Sequence, residues 1–127
     1  MKINKDYPFK YVQFQRSEFA CNCGCGFDVV DVQLLAVLQD LRDSLESVII
    51  INSGCRCSEY NKTVGGSPRS QHVFGKAADI DVVEVGPMDV YRLLDKKYPD
   101  KFGIGLYDAF VHIDVRDKKT RWDKRTK

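Results

Sequence analysis

Ser70-Gln71-His72-Val73-Phe74-Gly75-Lys76-Ala77-Ala78-Asp79-Ile80-Asp81 and, further along, Phe110-Val111-His112-Ile113-Asp114 are the two stretches on which the fold turns. Ala78 to Val83 reads as one strand and the apolar run Phe110 to Val115 as a neighbouring one. The only two histidines of the chain, His72 and His112, stand beside carboxylates in these segments. An unpartnered ionisable group in buried β structure is costly, so a partner is required. His72 and Asp79 are separated by a loop containing Gly75, which suits one ligand on the loop and the next on the strand. Two imidazoles and one carboxylate, His72, Asp79 and His112, make a tripod for a divalent metal. Three protein ligands with an open fourth position describe a catalytic rather than a structural zinc. The same residues also read as satisfied core or surface groups, because no one of these spacings is a motif by itself.

Working outward, Val48-Ile49-Ile50-Ile51-Asn52 is a β-branched run that reads as a buried strand and delivers Ser53-Gly54-Cys55-Arg56-Cys57 at its end. Ser58 is placed to cap a short helix through Val64, with Gly65-Gly66 stopping it. Before that strand, Asp31 is a good N-cap for a helix in which Val32, Leu34, Leu35, Leu38, Leu41 and Leu45 recur at helical spacing. After Val83, Gly86-Pro87 opens another helix, with Val90, Leu93, Leu94 and Tyr98 inward and Pro99 ending it. Gly103 to Tyr107 and Phe110 to Val115 form a hairpin turned at Tyr107-Asp108-Ala109. Strands outnumber what helical crossovers connect in parallel. The expectation is an α+β domain with a mainly antiparallel sheet, helices packed on one side and the zinc site on the sheet.

The 127 residues are enough for one hydrophobic core, so a single domain over 1–127 is expected. Residues 1–16, with Tyr7, Phe9, Tyr11 and Phe14, read as an N-terminal arm over the core. Residues 117–127 read as a solvated basic tail of Lys118, Lys119, Arg121, Lys124, Arg125 and Lys127, with polyanion binding as the alternative. A formal charge of +2 is too near neutral to argue for nucleic acid. No apolar run approaches the roughly 20 residues of a membrane span. The polar start, Met1 to Asp6, lacks an apolar signal region, so synthesis in the cytoplasm without a signal peptide is expected. Of the five cysteines, Cys21, Cys23 and Cys25 alternate, as do Cys55 and Cys57, so each group is expected to turn its sulfurs to one side. Packing of small reduced thiols is the expectation. A structural zinc is the alternative, since C-x-C-x-C departs from the usual zinc spacing.

Taken together, Ser53-Gly54-Cys55-Arg56, Asn61 to Gly66, Ser70 to Ile80, Gly103-Ile104-Gly105-Leu106-Tyr107 and Phe110 to Arg116 resemble the peptidase M15 family. This is the group of D-Ala-D-Ala carboxypeptidases and bacteriophage endolysins, related to the Hedgehog domains, and the likeness is greatest to its compact, often phage-encoded members. It covers about residues 17–122. The resemblance implies zinc held by His72, Asp79 and His112, with a zinc-activated water hydrolysing peptide bonds in peptidoglycan stem peptides or cross-links. A monomer acting at the cell wall and released by another route is expected. The resemblance also implies that Arg56 takes part in catalysis and holds the substrate, its fork suiting a carboxylate or an oxyanion. Ser70 supports the substrate, or the His72 loop, or simply the turn.

Many relatives carry an acidic residue three positions before the second histidine, where this chain has Ala109. By strand parity Asp114 shares a face with His112, while Asp108 does so only if the strand extends that far. Asp114 is favoured as the catalytic carboxylate. A second role for it is open, accepting a hydrogen bond that fixes a ligand histidine. Asp81 shares the parity of Asp79. Two further readings stand beside the enzyme: a catalytically weak zinc-containing binding module, and a structural metal domain of a phage or cell-wall assembly with the cysteines as ligands.

Overall fold

Both stretches lie in one five-stranded sheet built from β1 (Ile49–Ser53), β2 (Ala77–Val82), β3 (Gly103–Leu106), β4 (Val111–Asp114) and β5 (Thr120–Asp123). The computed structural model describes Phe9 and residues 12–126, so Tyr7 and Tyr11 of the expected arm lie outside the described residues. The strands run in the order β1-β2-β4-β3-β5, antiparallel except for the parallel pair β3 and β5. The expected hairpin is present, its turn closed by Tyr107 N–H donating to Phe110 O at 3.1 Å.

The alternation of side chains gives the sheet two different faces. Ala78, Ile80 and Val82 of β2, Ile104 and Leu106 of β3, and Val111 and Ile113 of β4 enter the hydrophobic core. Asp79, His112, Asp114, Gly103 and Gly105 have the opposite parity. The register then lines up one row across all five strands: Ser53 opposite Asp79, Asp79 opposite His112, His112 opposite Gly105, and Gly105 opposite Trp122. The next row sets Ala77, Asp114, Gly103 and Thr120 side by side.

The helices α1 (Val32–Leu45) and α3 (Pro87–Lys97) cover the apolar face. Asp31 caps α1 by accepting from Gln33 N–H at 2.7 Å, as its position before the periodic run predicts. Leu34, Leu38 and Leu41 are fully buried, each worth about 1.5–3 kcal/mol for leaving water. Val90 and Leu94 are the buried pair of α3, with Pro87 in its first turn. Phe19 is fully buried against Phe9 and Phe14, ring centroids 6.2 and 5.9 Å away, so the described part of the arm does lie on the core.

Several expectations are corrected. Residues 117–127 are not all a solvated tail, because Thr120–Asp123 pairs with β3 as an edge strand. The run from Val48 is not buried on both faces: Ile49 is buried while Val48 and Ile50 are exposed, as suits an edge strand with one wet side. Val32 is exposed, since it opens α1 on the solvent side. Helix α2 (Ser58–Thr63) is capped by Cys57 rather than Ser58, the sulfur accepting from Tyr60 N–H at 3.3 Å. Cys55 and Cys57 do not share a side. Cys55 points inward and donates to Phe19 O and Phe27 O, and burial pushes its thiol up to about 11.

Candidate metal centre

The bulge at the end of β1, between Ile51 and Ser53, brings the chain out beside Asp79 and into Gly54-Cys55-Arg56. His72 sits on a 3-10 turn, Gln71–Phe74, that Ser70 begins and Gly75 ends. Ser70 Oγ accepts from His72 N–H at 3.2 Å, which fixes the turn, and Gly75 closes it at φ 69. The two segments bind each other reciprocally: Arg56 N–H donates to His72 O at 2.9 Å, and His72 Nδ1 donates to Gly54 O at 2.6 Å. Asp79 and His112 come from paired positions of β2 and β4. Loop and sheet thus converge on one point.

The hydrogen bonds decide which nitrogens are free. A backbone carbonyl only accepts, so His72 carries its proton on Nδ1. His112 has a carboxylate at each nitrogen, Asp114 Oδ2 2.7 Å from Nε2 and Asp79 Oδ1 2.9 Å from Nδ1, and the tautomer that donates through the shorter contact carries its proton on Nε2. Both inner nitrogens, His72 Nε2 and His112 Nδ1, therefore turn toward one atom, Asp79 Oδ1, at 3.3 and 2.9 Å. Lone pairs that converge so closely repel unless a cation or a proton lies among them. With a proton there, burial lowers the His112 value but Asp114 and Asp79 more than offset it and raise it. Burial pushes the Asp79 carboxyl up, yet with protons on the inner nitrogens the contacts from His112 and His72 hold it well below the usual carboxylate range. The donor set of two imidazoles and a carboxylate, within 4.8 Å of one another, fits a divalent ion such as zinc. Each histidine has the outer partner that metal-binding histidines have.

Asp114 is fully buried and surrounded by donors. Besides His112, it accepts from Gly103 N–H and Arg116 N–H, and from Arg116 Nε and NH2 at 2.8 and 2.7 Å. Burial alone raises its carboxyl, but His112 and Arg116 outweigh it and keep it ionised well below the usual range. Asp114 does not line the cleft. Its two oxygens hold His112 and Arg116 in place, which is hard to combine with taking a proton from water.

A cleft of about 500 Å³ opens over the tripod, with Arg56, Arg69 and Arg116 among its walls and Asp79 its one carboxylate among the described residues. Arg56 NH2 is 3.5 Å from Asp79 Oδ2, with Nε and NH1 on Ser53 and Asn61. Ser70 lines the cleft as well as holding its turn. Asp108 accepts from Thr126, and Asp81 is exposed; neither lines the cleft. Ala109 lies in the hairpin turn and brings no carboxylate.

Four contributors escape a reading of the sequence. Trp122 stands over the row, its ring 5.0 Å from His112, and its Nε1 donates to the Tyr107 hydroxyl at 3.0 Å. The lone tryptophan in a basic run was the signal available. Gly103 and Gly105 leave the room this needs: a Cβ at Gly105 would fall on the Trp122 indole, and one at Gly103 on the Asp114 carboxylate. Gly54 supplies a carbonyl, which no side chain announces.

The family profile described as Peptidase M15 matches residues 12–114, which contain all three tripod residues. No curated protein matches the chain.

Proposed function

The chain belongs to the peptidase M15 family, and on that premise we propose that it is a zinc metallopeptidase cutting peptide bonds in peptidoglycan stem peptides or cross-links, of carboxypeptidase or endopeptidase type. The observation that carries this reading is a two-histidine, one-carboxylate tripod at the floor of a cleft walled by three arginines. Such a cleft suits a peptide rich in free carboxylates, as stem peptides are. His72, Asp79 and His112 would hold the ion, and Asp114 fixes the His112 proton on the outer nitrogen. When bound, zinc supplies a Lewis acid that polarises a carbonyl and brings a coordinated water toward a pKa of about 7.

The protein's own groups do the rest. Arg56 offers its guanidinium to a substrate carboxylate or to the oxygen on which charge develops. The Tyr107 oxygen already accepts from Trp122 Nε1, so its own O–H is left to donate to substrate. Trp122 and Phe110, the latter stacked on Tyr107 at 4.3 Å, wall the cleft against water. On this reading the protein acts at the cell wall. A second reading, a zinc-containing module that binds wall peptides with little hydrolysis, is favoured by one observation: Asp79, a ligand, is the cleft's one carboxylate among the described residues.

Release of new amino groups from purified peptidoglycan separates the two. The enzyme releases amines in the wild type, and His112→Ala abolishes both this release and zinc binding at the tripod. Binding to peptidoglycan without amine release, at saturating zinc, would establish the second reading.

A further inference from the structure

Away from the cleft, four cysteines from two separate segments converge: Cys21, Cys23 and Cys25 of one loop with Cys57 at the start of α2. Their sulfurs all lie within 4.8 Å of one another. Cys21 Sγ is 3.4 Å from Cys23 Sγ and 3.8 Å from Cys57 Sγ, and Cys23 Sγ is 3.8 Å from Cys57 Sγ. A tetrahedral zinc with bonds of about 2.3 Å sets its sulfurs about 3.8 Å apart. From this agreement we propose that Cys21, Cys23, Cys25 and Cys57 form a second, structural zinc site of four thiolates.

The loop is shaped for it. Gly24 and Gly26 stand at φ 83 and 90, a region glycine enters without strain, and they reverse the chain so that the alternate cysteines converge on one another. Gly24 N–H donates to Cys21 O, and Cys21 N–H to Phe27 O, closing the turn at 3.1 and 2.7 Å. Backbone N–H groups point at the sulfurs: Cys57 N–H at Cys21 Sγ, 3.4 Å, and Tyr60 N–H at Cys57 Sγ, 3.3 Å. Packing does not account for Cys23 and Cys25, which are exposed. The fifth cysteine, Cys55, is buried and turned onto two carbonyls, so the odd count resolves into four ligands and one thiol. Four thiolates at these separations suit a soft-ligand divalent ion, and zinc is the one such sites hold without redox chemistry.

The consequence is a clip between residues distant in the chain. Closing the span from Cys21 to Cys57 removes freedom from the unfolded chain. It also pins the residue after Arg56, so the guanidinium is presented from a backbone held on both sides: by His72 O at Arg56 N–H and by the sulfur cluster at Cys57.

The test reads metal rather than hydrolysis, so its failure is distinct from failure of the peptidase reading. Full-length protein, prepared under reducing conditions and saturated with zinc, is analysed for metal content as wild type, His72→Ala, and the doubly substituted Cys23→Ser/Cys25→Ser. The expected contents are about two, one and one ions per chain. A second measurement needs no variant: zinc protects Cys23 and Cys25 from iodoacetamide, and cobalt substitution gives sulfur-to-metal charge-transfer absorption that the double substitution removes. Unchanged zinc content in Cys23→Ser/Cys25→Ser overturns the proposal, as does equal alkylation of Cys23 and Cys25 with and without zinc.

Discussion

Replacing Asp114 with asparagine tests the logic of the metal centre at the point where two roles for one carboxylate diverge. Of the five donors to Asp114, three reach Oδ1 (Gly103 N–H, Arg116 N–H and Arg116 Nε) and two reach Oδ2 (His112 Nε2 and Arg116 NH2). An asparagine keeps more of them with its carbonyl in the Oδ1 position. Its NH2 then faces His112 Nε2, which has to accept rather than donate, and the imidazole proton moves to Nδ1. That is the nitrogen 2.9 Å from Asp79 Oδ1, on which the metal depends. Loss of such an outer partner costs roughly 10- to 100-fold in metal affinity, or about 1.4–2.7 kcal/mol. The assay is zinc affinity of the tripod by chelator competition, read beside amine release at saturating zinc. Weakened zinc binding with release restored by excess metal is the expected result. Unchanged zinc affinity with hydrolysis lost would refute the reasoning and return Asp114 to the role of proton acceptor.

Gly105→Ala drives a methyl into the Trp122 indole, and a cost of about 1–3 kcal/mol is expected from urea unfolding, with a shift in tryptophan fluorescence. The same change on a Trp122→Ala background costs less, because the obstacle is gone. Arg56→Lys retains the charge but loses the fork on Ser53, Asn61 and Asp79; kcat/KM on carboxylate-bearing peptides falls about 10-fold or more, and falls less on amidated ones. Equal losses on both peptides would remove Arg56 from carboxylate recognition. Leu38→Ala, at a fully buried position of α1, lowers stability by about 2–5 kcal/mol in chemical denaturation while leaving zinc content unchanged.

The elements that sequence reasoning found are those whose own side chains announce them. Asp31 before the leucine periodicity of α1 is a cap followed by a stripe, and the alternation in β2 and β4 places Asp79 and His112 on one face. What it missed depends on partners elsewhere. β5 is an edge strand, and edge strands are protected by charges, so Lys118 to Arg125 look like a tail until β3 is there to pair with. The burial of Asp114 follows from Gly103 and Arg116 closing around it, which strand parity alone does not convey. Gly103 and Gly105 read only as part of a hairpin strand but are vacated volume, and only the Trp122 and Asp114 side chains give that volume a meaning. Cys57 as the cap of α2 was passed over because sulfur is an uncommon cap beside a serine.

The row Ser53, Asp79, His112, Gly105 and Trp122 makes the site a proofreader of its own sheet. A slip of one residue between β2 and β4 would swing Ala78 or Ile80 into the place of Asp79 and bury the carboxylate among leucines. A slip of two would restore the parity but move Asp79 away from His112 by about two residue rises, roughly 7 Å, beyond any shared ion. Every mispaired version of these strands is thus blind to the metal, and only the native alignment gains from it. An ion held by the tripod would therefore stabilise the native alignment alone over near-native but misaligned forms, because only one alignment can close the three ligands.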